Sequence, residues 1–146
     1  MQEFPVIPHR SIGPIQLGMG RDEVRRILGE PSSIETAHEK WGIQWPDRDF
    51  FYNNGFQVTY NSELKAVRIE AAAESAYIVT FDGIRVHEAE PQDIIDAILK
   101  HGELDTQHRE YPMNLWFPDL ALNLYREHSE EDKFDTIGIS LPKSTS

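Results

Sequence analysis

The strongest constraint on the fold is an order of elements that the chain writes twice. "GPIQLGMGRDEVRRILGEP" covers residues 13–31. Ile15 and Leu17 alternate as in a strand. Gly20 stands as a helix N-cap, and Asp22 and Glu23 follow in the first turn, where carboxylates favour the positive helix end. Val24, Ile27 and Leu28 share one face, Gly29 ends the helix, and Pro31 prevents its return. "DGIRVHEAEPQDIIDAILKHG", residues 82–102, repeats the scheme. Ile84 and Val86 alternate, Glu90 caps, Pro91 takes the first helical position, and Ile94, Ala97 and Ile98 form the stripe.

Alternating strands follow each helix. Residues 50–52 lead through the Asn53-Asn54-Gly55 turn into Phe56, Val58 and Tyr60, and Val67, Ile69 and Ala71 make a third strand. Residues 115–117 lead through Pro118-Asp119 into Leu120, Leu122 and Leu124, and Ile137, Ile139 and Leu141 close the second set. "SAYIVTF", residues 75–81, reads as a strand between the two sets, turned back at Asp82-Gly83. A meander with one apolar face needs a cover, and the cover at hand is its own helix. The sequence therefore predicts an α+β fold of two tandem units, each a short helix packed on an antiparallel β-meander. Residues 1–76 form the first and residues 77–146 the second, together one compact domain.

Charge narrows the partners. The net charge is −11, with eleven acids and eight bases over residues 1–76 and fourteen and six over residues 77–146. Such a surface repels nucleic acid and attracts basic proteins. No apolar run is long enough for a membrane-spanning helix, so no membrane partner is expected. The start, MQEFPVIPHR, lacks the basic-then-apolar pattern of a signal peptide. With no cysteine to oxidise, the expected compartment is the cytoplasm.

Motifs for chemistry are sparse. There is no thiol nucleophile and no G-x-S-x-G elbow. His9, His38, His87, His101, His108 and His128 never pair at helical spacing, so neither a metal nor another cofactor is expected. "GPIQLGMG" lacks the dinucleotide and phosphate-loop spacings. Asp47 and Asp49 flank Arg48 beside Trp45 and Phe50. Such carboxylates serve acid–base work if burial separates their pKa values, or else mark a turn after Pro46. Trp41, Trp45, Tyr52, Tyr111 and Trp116 lie just before or in the first meander strand of each unit, and large exposed aromatics anchor interfaces. "REHSEEDK", residues 126–133, gathers Glu127, Glu130, Glu131 and Asp132 at a hairpin tip suited to a basic partner.

The motif "IGPIQLGMGRDEVRRILGEP" resembles the G-x-x-L-G-M-(small)-x-x-E-V-x-x-x-L-G-x-P opening of small helix-plus-meander proteins. These include the outer-membrane assembly lipoprotein BamE (SmpA/OmlA) and the repeats of the β-lactamase inhibitory protein. The matching positions are Gly13, Leu17, Gly18, Met19, Gly20, Glu23, Val24, Leu28, Gly29 and Pro31. The chain differs from both in having no lipidation cysteine and no disulfide. The resemblance implies a scaffold for protein binding, and some similar openings belong to immunity proteins of bacterial toxin systems. The expected function is a non-catalytic protein-binding module, an acidic immunity-type inhibitor of a bacterial toxin. The partner is a basic toxin domain, met by Trp41, Trp45, Asp47, Asp49, Trp116, Glu127, Glu130, Glu131 and Asp132. Two alternatives stay open. One is a small ligand-binding protein or enzyme that uses Asp47, Asp49 and a histidine in a groove between the units. The other is a structural or assembly module.

Overall fold

Period-two burial sets the strands, beginning at the amino terminus of a computed structural model that describes residues 2–142. In β1 (Gln2–Ile7) only Phe4 and Val6 point inward. β2 (Ser11–Ile12) and β3 (Ile15–Gln16) add Ile12 and Ile15 to the core, and helix α1 (Arg21–Leu28) follows. β4 (Ser33–Glu35) leads to a hairpin of β5 (His38–Lys40) and β6 (Ile43–Trp45). Then come β7 (Arg48–Phe51), β8 (Phe56–Tyr60), β9 (Ala66–Ala72), β10 (Tyr77–Phe81) and β11 (Ile84–Arg85). Helix α2 (Pro91–Leu99), β12 (Asn114–Phe117), β13 (Leu122–Tyr125) and β14 (Thr136–Ser140) follow among the described residues.

The predicted pair of helix-on-meander units does not form. The described residues are mostly β, 41% strand against 14% helix, and they build three sheets. A seven-stranded sheet runs β12-β13-β14-β9-β8-β7-β4, and a five-stranded sheet runs β11-β10-β1-β2-β3. β5 and β6 pair only with each other. Each expected run of three strands is present, but β14 pairs antiparallel with β9 from Thr136↔Ala72 to Ser140↔Arg68, so the runs merge into one sheet.

The reason lies in how little the helices bury. α1 spans eight residues and fully buries only Val24, while Ile27 is 43% exposed. That contact is too narrow to roof a sheet. α2 buries Ile94, Ala97 and Ile98 and lies against β10. The apolar face of the large sheet is covered instead by the smaller sheet. Phe4, Tyr77 and Phe56 form an aromatic cluster, with Phe4 and Tyr77 stacked at 4.5 Å. One apolar core includes Phe4, Val24, Phe56, Val79, Phe117 and Ile139. β1 reaches it by pairing parallel to β10, Gln2↔Tyr77 to Pro5↔Thr80.

His87, after β11, donates from Nε2 to the Ala71 carbonyl in β9, 3.2 Å away. Burial holds its pKa below the ordinary value, against the opposing pull of that hydrogen bond and of Asp135 and Glu88. The folded state therefore resists a proton that the unfolded chain accepts below about pH 6.5. Stability is expected to fall as pH drops from 7.5 to 5.5, more steeply than in a protein lacking this imidazole. Urea unfolding of the wild type and His87→Gln at both pH values checks this. An equal pH dependence in the two proteins contradicts it.

Candidate functional site

The two faces of the seven-stranded sheet differ sharply. Val58, Ile69, Ala71, Leu122, Leu124, Ile137 and Ile139 are buried on one. The opposite face carries a continuous cross-strand row, Trp116–Asn123–Gly138–Glu70–Gln57–Phe50–Ser33. Beside it runs a second row, Ser140–Arg68–Thr59–Arg48–Glu35. Trp116, Phe50, Gln57, Arg48, Arg68 and Glu70 are only half-buried there. Six interstrand gaps of about 4.8 Å make the face roughly 29 Å wide.

A polar network fixes the middle of this face. Arg68 pairs with Glu70 through Nε, donates from Nη1 to Ser140 Oγ (3.2 Å), and reaches from Nη2 to Asn123 Oδ1 (3.1 Å). Asn123 Nδ2 donates onward to Asn114 Oδ1 at 3.0 Å. Arg68 sits on β9 and Asn123 on β13, with β14 between them, so the guanidinium crosses β14 at Gly138. A Cβ at that position lies 2.6 Å from Asn123 Oδ1, 3.2 Å from Glu70 Cγ and 3.5 Å from Arg68 Nη2. Glycine is needed here for space. Gly138→Val is expected to break the Arg68–Asn123 bridge and destabilise the fold by about 2 kcal/mol, the cost of overpacking. Urea denaturation reads the loss, and an unchanged midpoint rules the constraint out.

The hairpin of β5 and β6 projects beyond the β4–β7 edge. Lys40 opposes Ile43, so its loop has two residues, Trp41 and Gly42. Both have positive φ, 54° and 76°, as a two-residue hairpin turn of the right twist requires. Asparagine, aspartate and glycine suit that conformation, whereas a bulky residue there is strained by about 1–2 kcal/mol. Trp41 nonetheless occupies it, 87% exposed, with Lys40 Nζ 4.6 Å from its ring centroid. Ile43 and Trp45 are also exposed on the hairpin, and Ile34 is exposed on the adjoining strand. The His38 ring stacks on Trp45 at 6.2 Å. A concavity of about 420 Å³ beneath the hairpin is lined by residues including Trp45, Asp47, Tyr60 and Asn61.

The expected site residues thus fall in different places. Trp41 and Trp45 are on the hairpin, and Trp116 is on the open face at the far side of the large sheet. Asp47 accepts the Ala37 N–H at 3.0 Å and tethers the hairpin base. Asp49 points the other way, into the protein, and is 1% exposed. Arg25 on α1 grips it through Nε (2.9 Å) and Nη2 (2.8 Å), and the Tyr60 hydroxyl donates to Oδ2 at 2.9 Å. The hydrogen bond to Asp49 raises the Arg25 pKa further. Burial, reinforced by the Asp49 charge, raises that of Tyr60, which keeps its hydroxyl a donor. Asp49 is therefore the anchor of α1. Glu127, Glu130, Glu131 and Asp132 lie on the β13–β14 connection, and Glu130 and Glu131 turn toward α2.

Arg68, Glu70, Gln57 and Asn123 escape a search for motifs. Their signal is phase: Glu70, Gln57 and Asn123 each lie between two buried apolar residues of a strand, and Arg68 precedes the buried Ile69. Among the described residues no group of three or more His, Asp or Glu side chains is placed to hold a metal, and no helix is long and apolar enough to cross a membrane. Comparison of the chain with protein-family models, with curated proteins and with solved structures finds no match.

Proposed function

We propose that this chain is a protein-binding module, an acidic inhibitor of the immunity type that works in the cytoplasm and docks on a basic toxin domain. The reading rests chiefly on Trp41. A large aromatic held in a strained left-handed conformation, 87% exposed at a hairpin apex, contributes little to its own fold. Its use is as an anchor buried by a partner. The adjoining open face has the right extent. About 29 Å by 15 Å of sheet, together with the hairpin, approaches the roughly 800 Å² that each partner contributes to a standard interface. The net charge of −11 speeds encounter with a basic surface. The resemblance of residues 12–31 to helix-plus-meander binding proteins supports the same class.

Co-expression tests it. The wild-type chain is expected to restore growth to cells making the basic toxin domain encoded beside its own gene, and Trp41→Ala is expected to restore none. Failure of the folded wild-type chain to protect overturns the reading.

A further inference from the structure

The outer flank of α2 carries a second apolar stripe that its packing leaves unused. Ile94, Ala97 and Ile98 face the core, yet Ile95 is only half-buried and Leu99 is 43% exposed. Together with Leu104 and Tyr111 they line a groove of about 400 Å³. Glu130 and Glu131 form its outer rim.

The rim is fastened to the opposite wall. Arg126, buried in the groove floor, donates from Nε and Nη2 to the Pro112 carbonyl (3.2 and 3.1 Å) and from Nη1 to the Asp132 carbonyl (3.4 Å). Its guanidinium also lies 4.7 Å from the Phe134 ring centroid. The acidic segment is further closed by Glu131 N–H to Ser129 Oγ and Glu127 N–H to the Asp135 carboxylate. The acids are thus held beside the apolar wall, and the half of the chain that carries them, residues 77–146, has a net charge of −8 even with Lys100, Arg109 and Lys133 included.

We propose that this groove docks a basic amphipathic segment of a protein partner, its apolar side chains seated against Ile95, Leu99 and Leu104 and its lysines or arginines facing Glu130 and Glu131. An apolar stripe beside a line of like charge is the arrangement that receives a helix of alternating apolar and basic faces. The groove is separate from the hairpin and the open sheet face, and the proposal stands without them.

The test uses the full chain and a synthetic fourteen-residue helical peptide of leucine and lysine with one apolar face. Fluorescence anisotropy is expected to show binding, weakened at least tenfold by Glu130→Lys with Glu131→Lys, and at least tenfold by Leu99→Ser. Neither variant should shift the thermal midpoint. Charge reversal at Glu39 and Glu63, and the Trp41→Asn substitution, should leave the affinity unchanged. NMR amide shifts on binding should map to α2 and residues 104–112. Absence of binding, equal binding by a lysine–serine peptide, equal weakening from Glu39 and Glu63, or shifts centred on the hairpin would each overturn the proposal.

Discussion

Trp41→Asn is expected to stabilise the hairpin and strongly weaken partner binding at the same time. Asparagine tolerates the left-handed conformation that Trp41 adopts at φ 54°, so the turn loses about 1 kcal/mol of strain. Amide exchange in β5 and β6 should slow several-fold, while the global urea midpoint stays put because the hairpin pairs with neither large sheet. The same change removes a central aromatic anchor, worth about 2–4 kcal/mol in a docked interface, or roughly thirty- to a thousand-fold in affinity. Isothermal calorimetry with the proposed toxin partner reads the second effect. A variant that binds normally shows that Trp41 is an idle surface residue. Slower exchange without loss of binding separates the strain argument from the interface argument.

Asp49→Ala is expected to cause a large loss of stability through a single polar side chain. It strips Arg25 of both its charge-assisted hydrogen bonds and leaves the buried Tyr60 hydroxyl without an acceptor. Removing one partner of a buried ion pair costs about 3–5 kcal/mol, and Arg25, whose side chain is 26% exposed, recovers part of that by rehydration. A loss of about 3 kcal/mol follows, equal to a fall of roughly 1.5 M in the urea midpoint. Arg25→Met combined with Asp49→Leu should regain part of it, since no unpaired charge then remains inside. An Asp49→Ala protein with the wild-type midpoint contradicts the anchoring role. The contrast with Trp41 separates the two residues: one holds the fold and the other is spare to it.

How far these roles can be read from sequence depends on how local their causes are. The helices are legible at Gly20 and Glu90 because caps and first-turn acids act within a few residues. The strand phases around Val58, Ile69 and Leu122 are legible because burial alternates with period two. What covers the large sheet is not legible. The pairing of Glu3 with Ile78 joins segments far apart in the chain, and Pro5 and Pro8 interrupt the strand pattern of the first segment. The helix stripe of Val24, Ile27 and Leu28 suggests a cover, yet its Ile27 faces water.

The site is legible in part for the same reason. Trp41 and Trp116 stand out by residue type alone. The hairpin does not, since Trp41-Gly42 is not an Asn-Gly turn signal and its strands have three residues each. Asp49 looks like a surface carboxylate when read with Asp47. Its phase says otherwise, because it shares the inward side of β7 with Phe51. The acidic tip at residues 127–132 is plain in sequence, but its rotation toward α2 depends on the buried Arg126 bonds to Pro112 and Asp132.

The central claim is that the hairpin and the open sheet face meet another protein. Photo-crosslinking in the native cell tests it most directly, with p-benzoylphenylalanine placed at position 41 and, as a control, at position 26 on the exposed side of α1. The account predicts one discrete adduct with a basic protein at position 41, absent at position 26 and lost when Phe50 and Trp116 on the sheet face are both replaced by alanine. No adduct at position 41, or the same adducts at both positions, would contradict it.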